Sequence, residues 1–278
     1  MPLKAMRSLG AALVVCFLPG GGADTDPLHA QGKVTGEWVA RQIQDRDTGR
    51  DSRGTLHLTL YDRHGRARER TLTLLSKRGA GREGDKVLTR FTRPEDIRGT
   101  SFLVWEHPAA EDERFLYLPS LGRVRRIAGS EAQESFVGTD FSYEDIGGRE
   151  FDDYTYALLG SPADNATWRA PDGTTQPAYR LESKRKDASA KYPRVVSVVT
   201  TDFVVVGAEV FNRRDEGEKV YAVTRLDKIQ GIWTVLEAGM SNLLDRTRTR
   251  LRVERIEYNA GLSDAQFSRR ELERGAGR

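Results

Sequence analysis

Apolar and polar positions alternate along much of the chain, and this alternation predicts β-strands. In residues 55–61, Leu56, Leu58 and Leu60 fall on one face of such a strand, and polar residues and a tyrosine fall on the other. A turn at 62–65 (DRHG) separates this segment from a return strand that begins near residue 68. The two segments therefore predict a β-hairpin with one apolar face.

The same pattern predicts most of the remaining secondary structure. Further strands are expected at residues 86–91, 101–106, 114–118, 123–127, 178–184, 194–200, 204–211, 220–229, 233–240 and 247–258. Residues 130–159 lack the alternation and are expected to form a loop with a short helix. Trp38, Val39 and Ile43 recur at helical spacing, so residues 36–47 predict a short helix.

The last predicted strand indicates how the sheet is shaped. Arginines at 246, 248, 250 and 252 share one face, but the later apolar positions, Ile256 and Tyr258, fall on the same alternate positions as those arginines. A change of parity inside a strand is what a β-bulge produces, and bulges help a sheet to coil. We therefore expect a mostly β protein with some α-helix, whose curved antiparallel sheet is polar outside and apolar on its concave face. Ser263, with Gln266 three residues later, predicts the N-terminus of a final short helix.

The N-terminal residues have the organisation of a secretion signal. Lys4 and Arg7 precede the apolar run 9–18 (LGAALVVCFL), which is shorter than the ~20 residues of a membrane-spanning helix. Cleavage is expected after Ala23, with Ala30 as the alternative site. The expected organisation is a signal peptide at 1–23, a linker at 24–36 and one domain at 37–278, exported to the periplasm.

The one cysteine of the chain leaves a second localisation open. Acylation of Cys16 would give a membrane-anchored lipoprotein, although Val15 stands where such signals carry a small residue. If Cys16 is removed with the signal, the mature chain has no cysteine, which excludes disulfides and thiolate metal sites.

Charge and motif content argue against several functional classes. The formal charge is +3, and it falls to +1 without Lys4 and Arg7; both signs are interspersed, so no nucleic-acid partner is expected. None of the four histidines belongs to a metal-binding pair, and no nucleotide-binding or hydrolase motif occurs. The acidic residues between Glu144 and Asp153 are expected to have structural or solvated roles. We expect no bound metal, no cofactor and no enzymatic activity.

Large apolar side chains are the remaining candidate for function. The residues expected to line the concave face are Leu56, Leu58, Leu60, Phe91, Phe102, Val104, Phe115, Tyr117, Phe136, Phe141 and Trp233. Both an ordinary core and an incompletely filled cavity for a lipid require inward apolar residues. The pattern alone leaves these two interpretations open.

Several motifs resemble a known family. They are 98–103 (RGTSFL), 115–127 (FLYLPSLGRVRRI), 135–145 (SFVGTDFSYED), 229–234 (IQGIWT) and 256–264 (IEYNAGLSD). Together they closely resemble the outer-membrane lipoprotein-sorting-protein-like family, which is similar to the periplasmic carriers of the lipoprotein localisation pathway.

This resemblance covers about residues 37 to 272 and implies a fold and a function. It implies a half-closed, strongly curved antiparallel β-barrel with short helices across its open mouth. It also implies a cavity for a lipid or lipoprotein acyl chain, and an inner-membrane exporter of the resistance-nodulation-division type as partner. An accessory exporter subunit that carries nothing, or an envelope hydrolase, would be the alternative. Val235 departs from the pattern at a position where a proline is expected.

The first prediction concerns export. Sequencing the N-terminus of the protein from the cell envelope should give a chain that begins at Asp24, or at Gln31 if the second site is used. An intact Met1 would contradict the predicted signal, and an acylated Cys16 would place the protein on a membrane surface instead.

Overall fold

The computed structural model describes residues 34–79, 84–107 and 110–274. The helices are α1 (Gly36–Asp45), α2 (Tyr143–Gly147) and α3 (Arg269–Arg274). The first strands are β1 (Asp51–Tyr61), β2 (Ala67–Lys77), β3 (Lys86–Arg93), β4 (Ser101–Trp105), β5 (Glu113–Leu118) and β6 (Arg123–Ile127). The later strands are β7 (Tyr154–Gly160), β8 (Thr167–Arg169), β9 (Thr175–Arg185), β10 (Arg194–Thr200), β11 (Val205–Phe211), β12 (Gly217–Ile229), β13 (Ile232–Asn242) and β14 (Thr247–Tyr258).

All of these strands belong to one antiparallel sheet. Its order is β6-β5-β4-β3-β2-β1-β14-β13-β12-β11-β10-β9-β7, and β8 pairs with the first part of β9. The predicted curved, mostly β architecture is thus confirmed. The sheet does not close into a barrel, because β6 and β7 remain its two edges in the described structure.

The hairpin of β1 and β2 forms where the alternating pattern predicts it. Leu56 lies opposite Leu72, so apolar residues of the two strands share one face. The side chain of Asp62 accepts hydrogen bonds from the backbone N–H groups of His64 at 2.8 Å and Arg66 at 3.0 Å, which closes the turn. Gly65 has a φ of 79°, a conformation that favours glycine.

The expected bulge in β14 is confirmed. Thr55 of β1 pairs with Arg255, but the next residue, Leu56, pairs with Val253. Glu254 is the extra residue on the β14 side, and it shifts the apolar positions of β14 to the other parity. Leu251 and Tyr258 are seven residues apart, a separation that would place them on opposite faces of a regular strand. The bulge explains why both are buried.

The segment that sequence analysis assigned to loop and short helix contains more structure than expected. β7, most of which lies in this segment, was missed, whereas α2 corresponds to the expected short helix. β8, which follows the segment, was also missed. Residues 128–153, here called the crossover, connect the two edge strands, β6 and β7. Because those edges lie at opposite ends of the strand order, the crossover must pass over one face of the sheet.

Helix α1 packs against the β7 end of the sheet. Thr35 caps it by accepting a hydrogen bond from the N–H of Trp38 at 3.1 Å. Val39 and Ala40 are fully buried in a cluster with Phe151 and Leu181. The helix predicted at residues 36–47 is therefore present, two residues shorter, and covers this part of the sheet.

The C-terminal helix lies elsewhere than the resemblance implied. Ser263 and Gln266 form the expected capping box, at the start of a 3₁₀ turn that precedes α3. Leu272 of α3 is buried against Leu103 and Phe115, whose side chains point away from those of Phe102 and Val104. This helix therefore covers the face of the sheet opposite to the one that carries Phe102 and Val104, and not the open mouth.

The second prediction concerns the contact between the crossover and β4. A Cβ at Gly147 would lie 2.8 Å from Cγ2 of Val104 and 3.3 Å from the ring of Phe102. Gly147→Ala should therefore overpack this junction and lower the free energy of unfolding by ~1–3 kcal/mol, measured by urea melts. Gly239→Ala is the matched control, because its new methyl group would meet only the carbonyl oxygen of Thr249 at 3.8 Å. Equal stability of the two variants would contradict this packing.

Candidate functional site

One face of the sheet carries a large apolar cluster, here called the inner cluster, and this face is the inner face. Its buried members are Leu56, Leu58, Leu72, Leu74, Val87, Phe91, Phe102, Val104, Leu116, Ile127, Phe136, Phe141, Tyr143, Ile146, Val204, Val206, Tyr221, Val223, Ala238, Met240 and Leu251. They come from β1–β6, from the crossover, and from the β11–β14 half of the sheet. Since both halves of the strand order contribute to one cluster, the sheet curves around it.

Most of the residues predicted for the concave face meet in the inner cluster. Those buried in it, each at most 3% exposed, are Leu56, Leu58, Phe91, Phe102, Val104, Phe136 and Phe141. Leu60 and Trp233 are partly buried and pack against it. The structure thus brings nine of the eleven predicted residues together; whether they hold a ligand is the subject of the proposal below.

Phe115 and Tyr117 are the two exceptions, and their placement corrects the sequence analysis. They lie on the outer face, in a separate cluster with Leu103, Phe267 and Leu272. In β5 it is Leu116 that belongs to the inner cluster. Both faces of β5 are covered by apolar residues, so the alternating pattern does not reveal which face points inward.

Aromatic residues of the crossover pack directly on β3 and β4. Phe136 is stacked on Phe91 with ring centroids 5.8 Å apart and lies 5.6 Å from the ring of Phe102. Tyr143 lies 5.2 Å from Phe102 and meets Phe136 edge to face at 5.7 Å. These geometries are the ones that aromatic pairs favour. The crossover therefore forms the roof of the inner cluster.

Polar contacts hold the middle of the crossover to the centre of the sheet. The carboxylate of Asp140 accepts hydrogen bonds from the hydroxyls of Thr247 and Thr249, the latter at 2.7 Å. Lys219 donates to the backbone carbonyl of Asp140 at 2.8 Å. Arg70 of β2 donates to the carbonyl of Val137 at 2.5 Å. The crossover is thus attached to β2, β12 and β14 in addition to its apolar packing.

Ion pairs, of which those of Glu144 and Asp145 are buried, hold the far part of the crossover. Arg149 contacts Asp145 at 2.8 Å, and Arg185 of β9 contacts Glu144 and Asp153, each at 2.8 Å. Three of the carboxylates predicted as structural or solvated are therefore neutralised by arginines. Breaking a buried pair on one side costs ~3–5 kcal/mol, because the other charge is left uncompensated.

The charge of Asp145 is stabilised by its surroundings. Burial opposes its ionisation, but the positive charges of Arg149 and Lys219 and the hydrogen bonds from Ser142 outweigh that effect. The pKa of Asp145 is consequently lowered. Its contribution to stability is present above the pKa that it has in the unfolded chain, and is lost as the pH falls through the lower folded pKa.

A third charged group joins the crossover to β5. Arg114, buried on the inner face, contacts Asp112 at 2.9 Å and Glu150 at 3.8 Å. Glu150 also accepts a hydrogen bond from the backbone N–H of Asp112 at 3.1 Å. Burial, and then the neighbouring carboxylate of Asp112, raise the pKa of Glu150 to about 7.

The geometry of the other chemically active side chains is also defined. His57 lies on the outer face, 2.7 Å from Glu254 and within hydrogen-bonding distance of Thr71. His107 contacts Glu113 at 3.1 Å. No three histidine, cysteine or carboxylate side chains converge as a metal site in the described ranges. Among the residues described, no helix has the length and apolar character needed to cross a bilayer.

Sequence analysis missed several members of the inner cluster. Tyr221, Val223 and Met240 are buried there on β12 and β13. For Met240, the alternation of Leu236, Ala238 and Met240 with other residues of β13 was a usable signal. Tyr221 and Val223 lie in the continuous apolar run 220–223 (VYAV), so their sequence shows no such alternation. The pairing of Arg185 with Glu144 and Asp153 had no comparable signal, since it depends on the path of the crossover.

Comparisons with known proteins identify relatives in both sequence and fold. A model of a family described as "Uncharacterized protein" matches residues 83–274. A crystal structure of a DUF1329 family protein from Desulfovibrio piger is 30% identical, with a TM-score of 0.75, over 89% of this chain and 100% of that chain. No curated protein matches the sequence.

Two further crystal structures share the fold. A domain from Vibrio parahaemolyticus described as an outer membrane lipoprotein-sorting protein is 26% identical, with a TM-score of 0.75, over 86% of this chain and 98% of that one. A LolA superfamily protein from Nitrosomonas europaea has a TM-score of 0.65 over 86% of this chain and 99% of that chain. At 18% identity, the latter similarity concerns the fold alone.

The third prediction concerns the pH dependence of stability. Between the ordinary carboxyl pKa of 4.5 and about 7, the folded protein keeps a proton on Glu150 that the unfolded chain has lost. Glu150 therefore makes stability fall as the pH rises through this window. Glu150→Gln, which keeps an oxygen acceptor for Asp112, should flatten this part of the profile and be more stable than the parent above pH 7.

The measurement is a series of urea melts between pH 4.5 and pH 8. Glu134→Gln is a control, since Glu134 is exposed and its ion pair in the described structure is with Lys191. A parent-like slope in Glu150→Gln would show that another group titrates in this range.

Proposed function

This chain belongs to the outer-membrane lipoprotein-sorting-protein-like family, and we propose that it is a periplasmic carrier for a lipid or a lipoprotein acyl chain. In this proposal the acyl chain is held against the inner cluster and moved between the membranes of the envelope. The signal expected at residues 1–23 lies outside the described residues and supplies the route to the periplasm. The Vibrio parahaemolyticus relative, described as lipoprotein-sorting, supports the choice of cargo.

The observation that carries the proposal is the composition of the inner cluster. Its members are almost all hydrocarbon or aromatic, and they come from most of the strands of the sheet. An acyl chain has no hydrogen-bonding groups along its length and binds such a surface by leaving water, which is worth ~0.8 kcal/mol per buried CH₂. A curved apolar face under the crossover therefore suits a lipid better than a polar substrate.

The attachment of the crossover suggests how the inner face admits its ligand. Phe136 and Phe141 lie within the inner cluster, so a ligand must share or take their place. The contacts of Asp140 with Thr247 and Thr249 are hydrogen bonds that water can replace when the crossover lifts. We therefore assign Phe136 and Phe141 to the binding site together with Leu56, Leu58, Phe91, Phe102 and Val104, with Leu60 and Trp233 at its margin.

An inner-membrane exporter of the resistance-nodulation-division type is the proposed partner. The support for it is the family resemblance. A protein that docks on the exporter without carrying anything would use the same fold, and the experiments below separate the two functions.

The direct test is native mass spectrometry of the purified mature protein, followed by solvent extraction and lipid identification. A carrier should retain lipid in a defined ratio to protein and lose it on extraction. A protein that is free of lipid when purified from the envelope, and that takes up none from vesicles, would support the accessory role instead.

The fourth prediction concerns Leu58, which is 3% exposed and belongs to the inner cluster. Leu58→Trp should reduce the binding of a fluorescent fatty acid, because the larger side chain occupies the space of the ligand. A wall with room for a ligand tolerates this change, whereas a full core loses ~1–3 kcal/mol or more. Leu58→Ala should cost about 2 kcal/mol, the lower end of the usual range, because a crossover that moves to admit a ligand can also shift to fill the space that the removed atoms leave.

The measurements are denaturant melts of the delipidated variants and a titration with the fluorescent fatty acid. Leu103→Ala is the matched control, since Leu103 is fully buried on the outer face. It should cost ~2–5 kcal/mol and leave fatty-acid binding unchanged. If Leu58→Trp binds the probe as well as the parent, or unfolds far more easily, this face is not the ligand site.

A further inference from the structure

The register of the sheet brings three hairpin turns side by side at one end. Tyr61 pairs with Arg248, Thr247 with Asn242, Asn242 with Lys219, and Gly217 with Phe211. The turns at 62–66, 243–246 and 212–216 therefore leave the sheet at the same level. Adjacent hairpins are two strand spacings apart, or about 10 Å, so the three turns form one continuous edge, here called the turn edge.

Exposed leucines project from this end of the molecule. Leu243 and Leu244 occupy the tip of the β13–β14 turn and are 51% and 56% exposed. Leu121, also 56% exposed, lies in the β5–β6 turn at the same end. In the described ranges these are the large apolar side chains that are more than half exposed.

The β13–β14 turn holds its leucines outward by local hydrogen bonds. The side-chain oxygen of Asn242 accepts from the backbone N–H groups of Leu244 at 3.0 Å and Asp245 at 2.9 Å. The amide of Asn242 donates to the carboxylate of Asp245 at 2.9 Å. Leu243 donates its N–H to the carbonyl of Glu218 at 2.8 Å. The exposure of the two leucines is thus built into an ordered turn.

Arginines flank the leucines on both sides. Arg246 and Arg248 follow them in the chain, Arg63 lies in the next turn on one side, and Arg213 lies in the next turn on the other. All four are exposed. Of the four acidic residues in these turns, three pair with arginines: Asp62 with Arg66, Asp215 with Arg194, and Glu216 with Arg214. The fourth, Asp245, accepts a hydrogen bond from the amide of Asn242. None of the four flanking arginines forms an ion pair with a described residue.

From this combination we infer that the turn edge docks on an anionic lipid bilayer surface, with Leu243 and Leu244 entering the headgroup layer and the flanking arginines contacting lipid phosphates. Apolar tips with surrounding positive charge match an interface that is negatively charged outside and apolar below. The inference does not depend on the proposed cargo, because the turn edge lies at the tips of the strands and the inner cluster lies between them.

The test is flotation of the purified protein with vesicles. Vesicles of 30% phosphatidylglycerol in phosphatidylethanolamine should bind the parent, and vesicles of phosphatidylcholine alone should bind it far more weakly. Binding should weaken as sodium chloride rises from 0.05 to 0.5 M, because salt screens exposed charges. The double variant Leu243→Ser/Leu244→Ser should bind at least ~10-fold more weakly, since it lacks the two apolar side chains whose transfer from water into the membrane favours binding.

Charge and position are tested separately. Arg213→Gln/Arg246→Gln should lose about 25-fold in affinity for the anionic vesicles, at roughly fivefold for each arginine near the surface. Leu159→Ser is the matched control, because Leu159 is 49% exposed but lies at the end of β7 that is remote from the turn edge. It should float like the parent.

The outcomes separate docking from cargo binding. The double leucine variant should lose flotation but take up the fluorescent fatty acid as the parent does. Flotation of the parent is expected even if the protein carries no lipid. A parent that does not float with anionic vesicles would overturn the inference, and so would parent-like flotation of the double leucine variant. An equal loss of flotation in Leu159→Ser would show nonspecific adsorption through exposed apolar side chains, and would overturn the inference as well.

Discussion

The connection between the two edge strands is the constraint on which the structure depends. β6 and β7 lie at opposite ends of the strand order, yet they are consecutive in the chain. The 26 residues of the crossover must therefore pass over one face of the sheet, and that face becomes the inner face. Aromatic residues such as Phe136 and Tyr143 pack under this path, and the sheet curves to cover them. Curvature, burial and the roof of the candidate site thus follow from one connection.

Where one face of a strand is buried and the other is wet, the sequence was sufficient to predict the structure. β1 and β14 have this property, and even the bulge opposite Leu56 could be inferred from a change of parity. β5 lacks it, because α3 covers its outer face, so Phe115 and Tyr117 were assigned to the wrong side. β7 is a short edge strand with only moderately buried alternate residues, which explains why it was missed. Alternation of apolar and polar residues predicts a strand when its two faces differ strongly in burial, and the prediction fails when they differ little.

The charged residues under the crossover show a different limit. The sequence displays many acids between Glu144 and Asp153, and local pattern suggested only structural or solvated roles for them. Their partners are Arg149 nearby and Arg185 in β9, 41 residues from Glu144 in the chain. Such pairs form because the crossover buries the carboxylates, and a buried carboxylate without a counter-charge is costly. The pairing of Glu144 with Arg185 is therefore a consequence of the tertiary path and has no signature within a sequence window, whereas Asp145 and Arg149 are four residues apart.

The hairpin of β13 and β14 links the two surfaces to which function is assigned. Met240 and Leu251 of this hairpin lie in the inner cluster, and its tip carries Leu243 and Leu244. Between cluster and tip, Thr247 and Thr249 hold Asp140 of the crossover. Leu243 and Leu244 are therefore only three to six residues from the hydroxyl groups that hold the crossover. The crossover is attached beside the turn edge by hydrogen bonds and apolar packing, and in its far part by the ion pairs of Arg149 and Arg185. Water can replace a hydrogen bond at lower cost than it can separate a buried ion pair. In the carrier proposed above, the roof should therefore open from the turn edge, with the ion-paired part near Arg149 as the fixed side.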